Sequence, residues 1–275
     1  MNSNMMTKIT SLAYITFKGG IRDRTLFSIF ILALTLILSI PLLSSFSMRQ
    51  VAVVACDFSL SITSFIGLLL TIFVGNNLIA KDIDRRSIYT IISLPIKRTE
   101  YLIGKFIGLI LLLFISIIIL SIFSFIAVYF TEILYPQEIN FTISWLNFII
   151  ANIFIFFKLI IIASIVFLFS TVATSSFLPL ALTIIFYFVS ESVEEVKAFI
   201  ETATGKERTS TFVIYMAKFA FYIFPNFEAF NFKQHTIYSL SIDSLNLLYL
   251  SSYSLLYTSI IIIIAIFSFQ KREFI

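Results

Sequence analysis

The chain has 275 residues, of which 59% are hydrophobic and only 12% charged, whereas an ordinary soluble domain carries roughly 25% charged residues. With 33 Phe against 7 Gly and 5 Pro, and a mean hydropathy of +1.03, disordered, collagen-like and disulfide-scaffold classes are excluded along with soluble globular ones. A polytopic, all-α integral membrane protein remains. Cys56 is the only thiol and His235 the only imidazole, so one chain holds no disulfide, thiolate cluster or His-based metal site. The net charge of +4 comes from basic residues flanking apolar runs, a pattern of membrane topology and not of nucleic-acid binding.

Taken in order, Ile9, Leu12, Ala13 and Phe17 recur at helical spacing beside Lys8 and Lys18, which predicts a short helix over 8–20 lying in the membrane interface. Gly19 and Gly20 would let the chain turn upward. A spanning helix needs about 20 apolar residues, and the first charge-free run, 25–48, exceeds the roughly 7 to 15 residues of a cleavable signal core. It is expected to stay as the first span. Asp57 and Lys81 bound a second, 58–80, and Lys105 and Glu132 enclose a third, expected over 103–131.

The next block, Ile139 to Ser190, is 52 residues interrupted only by Lys158. As one helix it would be roughly 78 Å long at 1.5 Å per residue, so it must fold back on itself. Thr171, Thr174, Ser175, Ser176 and Pro179 mark the turn, giving spans four and five over 143–170 and 174–190. Residues 191–243 form a long outer loop whose stretch 211–232 reads as a re-entrant or surface-lying helix, and 244–270 is the sixth span.

Orientation follows from the basic residues, which are retained in the cytoplasm. With both termini on one side, that side holds twelve Lys and Arg and the other holds six. Both termini are therefore expected in the cytoplasm, with the protein in the cytoplasmic (inner) membrane. Lys158 is the one ionisable residue well inside an apolar block, and such a charge costs at least about 2.5 kcal/mol at the helix centre. Three readings stay open: it lines a translocation path, holds an anionic headgroup, or snorkels from a span that starts later.

The cytoplasmic loop after span two is the most informative segment. Residues 82–94 read as a short helix carrying Ile88, Ile91 and Ile92 on one face, with mixed charges at Asp82, Asp84, Arg85 and Arg86, stopped before Pro95. An apolar stripe beside such charges suits docking on another protein; the alternative is a basic loop that only sets topology. At this segment, in Asp82 through Ser87, then Ile91-Ile92-Ser93-Leu94-Pro95-Ile96-Lys97-Arg98, Tyr101 and Gly104-Lys105, the sequence resembles the permease subunits of type 2 ABC transporters (ABC-2).

The resemblance covers nearly the whole chain. The variant Arg85-Arg86-Ser87-Ile88-Tyr89-Thr90, together with Pro225-Asn226-Phe227-Glu228-Ala229-Phe230-Asn231, is similar to the branch labelled copper-enzyme maturation permeases. Tyr89 stands where many members have Glu, Arg86 where many have Gly, and Ser87 where most have Thr. The resemblance implies that 82–94 is a coupling helix and that Asp82, Asp84, Arg85, Arg86, Ser87, Ile88, Tyr89, Ile91 and Ile92 meet a separate ATPase subunit. It also implies two ATPase copies carrying ATP and Mg, a homodimer or paired permease, and membrane lipid as surroundings.

The sequence itself has no GxxxxGK followed by Ser or Thr to cradle phosphates. Gly205-Lys206-Glu207 lacks the upstream glycine turn and has Glu where the magnesium-binding hydroxyl belongs. No catalytic, cofactor-binding or metal-binding residue is expected in this chain. The leading function is thus an ABC permease subunit, with export favoured because no soluble binding domain is present. The alternative is an ion-coupled secondary transporter or channel with Lys158 in the pathway; such proteins usually carry several intramembrane ionisable groups and internal repeats. A lipid-modifying enzyme would need a nucleophile with a base, a metal cluster or paired carboxylates in one place. Glu191, Glu194 and Glu195 read more simply as a solvated helix end.

Overall fold

The computed structural model describes residues 2–47, 50–84, 97–135, 144–173, 175–201 and 211–272, and these are almost wholly α-helical. In chain order the helices are α1 (Asn2–Ile21), α2 (Arg24–Leu38), α3 (Ile40–Ser45), α4 (Val51–Asp84), α5 (Arg98–Leu134), α6 (Trp145–Val172), α7 (Phe177–Glu201), α8 (Thr211–Ile223), α9 (Lys233–Ile237) and α10 (Ser244–Lys271). Six segments are long and apolar enough to cross a membrane: 24–45, 51–79, 98–134, 145–172, 177–200 and 244–271.

Local chemistry explains the starts and breaks. The side chains of Asp23, Ser144 and Asp243 accept from backbone N–H groups in the first turns of α2, α6 and α10, the usual N-cap device. The first span is one apolar run broken at Ser39. Pro41 has no N–H for the carbonyl four residues back, and its ring crowds that turn, so α2 ends and α3 follows as a separate short helix.

α6 is the central helix: it packs against α4, α5, α7, α9 and α10, and Leu159, Ile161, Ile162, Ala163, Ile165, Val166 and Phe167 are all buried. α5 and α6 flank α4, where a Cβ on Gly75 would meet Leu109 and Val166 at 3.2 Å. The Thr63 and Ser124 hydroxyls meet at 3.0 Å between α4 and α5.

α1 runs beside α5 in the same direction. Leu12 faces Gly104, Thr16 faces Gly108 and Gly20 faces Leu112, so contact persists over more than two turns. The Gly104-x-x-x-Gly108 pattern serves this contact, as small residues let helix backbones approach. A Cβ on Gly108 would lie 2.8 Å from the Ala13 carbonyl oxygen. Helix α1 continues through Gly19 and Gly20 to Ile21, and the chain turns at Arg22 and Asp23 instead.

Other boundaries differ from the expectation for one reason: a charged residue was taken as a stop, and a charge on an exposed face stops nothing. α4 starts at Val51, seven residues before Phe58, with Asp57 half exposed on it and the apolar residues 51–56 against α3. α5 starts at Arg98, and Lys105 turns inward to donate to the Leu78 carbonyl. The expected outer loop 191–243 begins as eleven further residues of α7, because Glu and Lys are good helix formers and Val193, Val196 and Ile200 keep the helical spacing. The remainder holds α8 on the surface, exposing Phe212, Tyr215, Phe219 and Tyr222, followed by a segment that dips into the bundle. Phe227, Phe230 and Phe232 there are buried, and Phe232 lies 4.8 Å from Phe154 of α6.

Candidate functional site: a cavity around Lys158

α6 ends at Val172 and α7 begins at Phe177, with Ala173, Ser175 and Ser176 as the described residues between them. Lys158 lies 14 residues before the end of α6, and Glu191 lies 14 residues after the start of α7. In an antiparallel hairpin such positions come to the same depth, about 21 Å from the helix ends at 1.5 Å per residue. The two meet: Lys158 Nζ donates to both oxygens of Glu191 at 2.8 and 3.1 Å. This supplies the counter-charge that the apolar block itself lacks.

The pair is asymmetric. The Lys158 side chain is 9% exposed and that of Glu191 35%. Tyr187 lies one helical turn before Glu191, on the same face of α7. The ammonium also sits 5.3 Å from the Tyr187 ring centroid and 5.5 Å from that of Phe227, a range in which an aromatic face attracts a cation. A buried charge is tolerable only when paired and hydrogen-bonded, and Lys158 meets that condition without snorkelling.

Beside the pair lies a cavity of about 310 Å³, at the small end of the range for ligand sites. α4 contributes Ser61, Ser64, Phe65 and Leu68, α6 contributes Lys158, and α7 contributes Tyr187, Phe188 and Glu191. The buried segment closes it with Phe230, Asn231, Phe232 and Lys233. Lys233 Nζ donates to Ser61 Oγ at 2.7 Å and stands 3.8 Å from Asp57. The charged groups on the walls are thus two ammoniums and one carboxylate.

Lys158 is the sequence-selected residue that the structure places in a cavity. Glu191 was read as a solvated helix end because the fifth span was stopped at Ser190; continuing the helix and counting from the turn would have paired it with Lys158. Nothing local in the sequence marks Lys233 or Ser61, which meet across 172 residues. Glu194 accepts from Asn226 at 2.8 Å and pairs loosely with Lys197. Two asparagines of α6 differ: Asn147 donates to the carbonyls of His235 and Leu240, whereas Asn152 donates within its own helix to Phe148. Cys56 is fully buried in α4.

Of the nine expected ATPase-contact residues, two lie within the described residues. Asp82 and Asp84 belong to the last turn of α4, which runs past Ala80 without a break. Arg85, Arg86, Ser87, Ile88, Tyr89, Ile91 and Ile92 lie outside the described residues. Among the described residues no group of three or more His, Cys, Asp or Glu side chains is close enough to hold a metal ion.

No curated protein matches the sequence. The sequence does match the family described as ABC-2 family transporter protein, over residues 4–274. With six apolar helices and nearly the full length matched, the chain is an integral membrane protein and belongs to the ABC-2 transporter family.

Proposed function

We propose that the chain is the permease subunit of an ABC exporter, moving its substrate across the cytoplasmic membrane with energy from ATP and Mg bound on a separate ATPase chain. The family match over almost the entire sequence carries this reading. Two ATPase subunits serve two permeases, identical or similar, and both termini face the cytoplasm on the twelve-to-six division of basic residues. The Pro225 to Asn231 motif supports a relationship to the copper-enzyme maturation branch.

In this reading the segment 82–94 docks on the ATPase. Its two ends favour that role: α4 leads into it as a continuous helix to Asp84, and Arg98, four residues after it, is anchored to the last turn of α10. ATP-driven closure of the ATPase pair would push on this segment, and coupling requires its contacts to differ between two states. Lys158 and its cavity then belong to the translocation path.

The test is capture of the tagged protein from detergent-solubilised membranes, with identification of co-purifying chains and an ATPase assay. A stoichiometric P-loop ATPase, lost on charge reversal of Arg85 and Arg86, is the expected result. Recovery of the permease with no ATPase partner overturns the reading and favours an ion-coupled transporter, for which the buried Lys158–Glu191 pair would be the coupling site.

A further inference from the structure

From the Lys158 cavity we infer the substrate class: an amphiphile with a single anionic head, phosphate or carboxylate, in which Glu191 occupies the head-group position until the ligand displaces it. The assignment takes its meaning from the transport reading above.

Three observations carry it. First, the cavity walls bear Lys158, Lys233 and Glu191, and Asp57 stands 3.8 Å from Lys233, so each ammonium has one carboxylate and displacing Glu191 leaves one positive charge. A monoanion balances that charge, and a cation would add to it. Second, Lys158 and Glu191 differ in freedom. The lysine is 9% exposed and held over two rings, while the glutamate is 35% exposed. Glu191 therefore has room to swing off the ammonium, and Lys158 does not. Exchanging one oxyanion for another at a buried ammonium keeps the charge compensated, so entry avoids the large cost of leaving Lys158 unpaired.

Third, the remaining wall is apolar and its rim is open. Phe65 of α4 is 50% exposed and Phe188 of α7 is 64% exposed, and both line the cavity within segments long and apolar enough to span a membrane. At about 310 Å³ the space takes a head group and a few methylenes, leaving a longer tail to run out along these rings. Ser61, Ser64 and Asn231 on the polar side offer hydrogen bonds to further head-group oxygens.

The experiment uses the intact chain in a neutral maltoside detergent, titrated with dodecyl phosphate, dodecyltrimethylammonium or inorganic phosphate, and followed by native mass spectrometry and thermal unfolding. Dodecyl phosphate is expected to bind saturably, at least tenfold more tightly than either comparator. Glu191→Gln should tighten it severalfold and gain more thermal protection from it than the parent does. Lys158→Gln should weaken it at least tenfold, and Lys158→Arg should retain most of it. The double variant, in which no charge is left unpaired, guards against misfolding and should bind as weakly as Lys158→Gln alone. Equal binding of the cationic amphiphile, or no change on replacing Lys158, overturns the proposal. Inorganic phosphate binding as tightly as dodecyl phosphate would overturn the amphiphile and leave a site for a free anion. None of these titrations involves the ATPase, so a failed capture of that partner and a failed ligand titration reject different statements.

Discussion

Arg98 donates to the backbone carbonyl of Arg272 at 2.8 Å, joining the first residue of α5 to the C-cap of α10 across 174 positions. The same nitrogen reaches the carbonyls of Phe269 and Gln270 at 3.2 and 3.0 Å. A cation here satisfies carbonyls that have no partner within their own helix and meets the negative end of its dipole. Arg272 repeats the device, donating to the Thr171 carbonyl in the last turn of α6 at 2.9 Å. Because Arg98 lies four residues after the proposed docking segment, a push there would reach α10 and α6 through hydrogen bonds to main-chain carbonyls. Arg98→Ala should destabilise the protein by about 2 kcal/mol, since hydrogen bonds to charged groups contribute roughly 1.5 to 3 kcal/mol. Lysine should restore only part, because one ammonium lacks the planar fork. Thermal unfolding in detergent measures both, and a wild-type midpoint for Arg98→Ala would show that the anchor is idle.

Gly19 of α1 and Gly108 of α5 should respond oppositely to alanine. At Gly108 a Cβ would lie 2.6 Å from Thr16 Cβ and 2.8 Å from the Ala13 carbonyl oxygen, whereas at Gly19 nothing lies within 4 Å. Gly108→Ala should force α1 off α5 at about 1 to 3 kcal/mol, the usual range for overpacking. Gly19→Ala should be neutral or stabilise by up to about 1 kcal/mol through helix propensity. Unfolding midpoints, with limited proteolysis of α1, distinguish local detachment from general loss of fold.

The Lys158–Glu191 pair should show an asymmetric mutant cycle. Glu191→Gln leaves a buried ammonium without its carboxylate; Lys158→Met leaves a carboxylate that can turn to solvent. Breaking a fully buried pair costs about 3 to 5 kcal/mol, and the 35% exposure of Glu191 reduces this. We expect about 2 kcal/mol for Glu191→Gln, less for Lys158→Met, and a double variant more stable than Glu191→Gln alone. Additive unfolding energies would contradict a working pair.

Asn147 and Asn152, five residues apart on α6, should behave differently. Asn147 Nδ2 donates to the carbonyls of His235 and Leu240 at 2.9 and 3.0 Å, tying the segment before α10 to the bundle. Asn147→Ala strands both carbonyls, and should cost about 1 to 3 kcal/mol while increasing proteolysis within 224–243. The Asn152 Oδ1 is buried and has no partner among the described residues, so Asn152→Leu should be neutral or stabilising. Parallel melts and digests of the two variants check this; a larger loss at Asn152 would refute it.

Much of the architecture was legible in the sequence. Charge-free runs of spanning length mark the six membrane segments, and the 52-residue block shows that it must fold back near Thr171 to Ser176. These features are one-dimensional: lipid demands continuous apolar length and internally satisfied backbone. Charge alone misplaces the ends of α4, α5 and α7, because Asp57, Glu191 and Glu194 each find water or a partner on one helix face.

The sequence by itself determined the all-helical membrane class, the family, and Lys158 as a charge needing a partner. Only the tertiary structure decided which partner that is, that Lys233 and Ser61 meet across 172 residues to form the opposite wall, and that Phe227, Phe230 and Phe232 turn inward instead of facing lipid. The reason is physical: apolar length is summed along the chain, whereas a cavity is made by side chains from separate helices whose rotation and depth are set by packing.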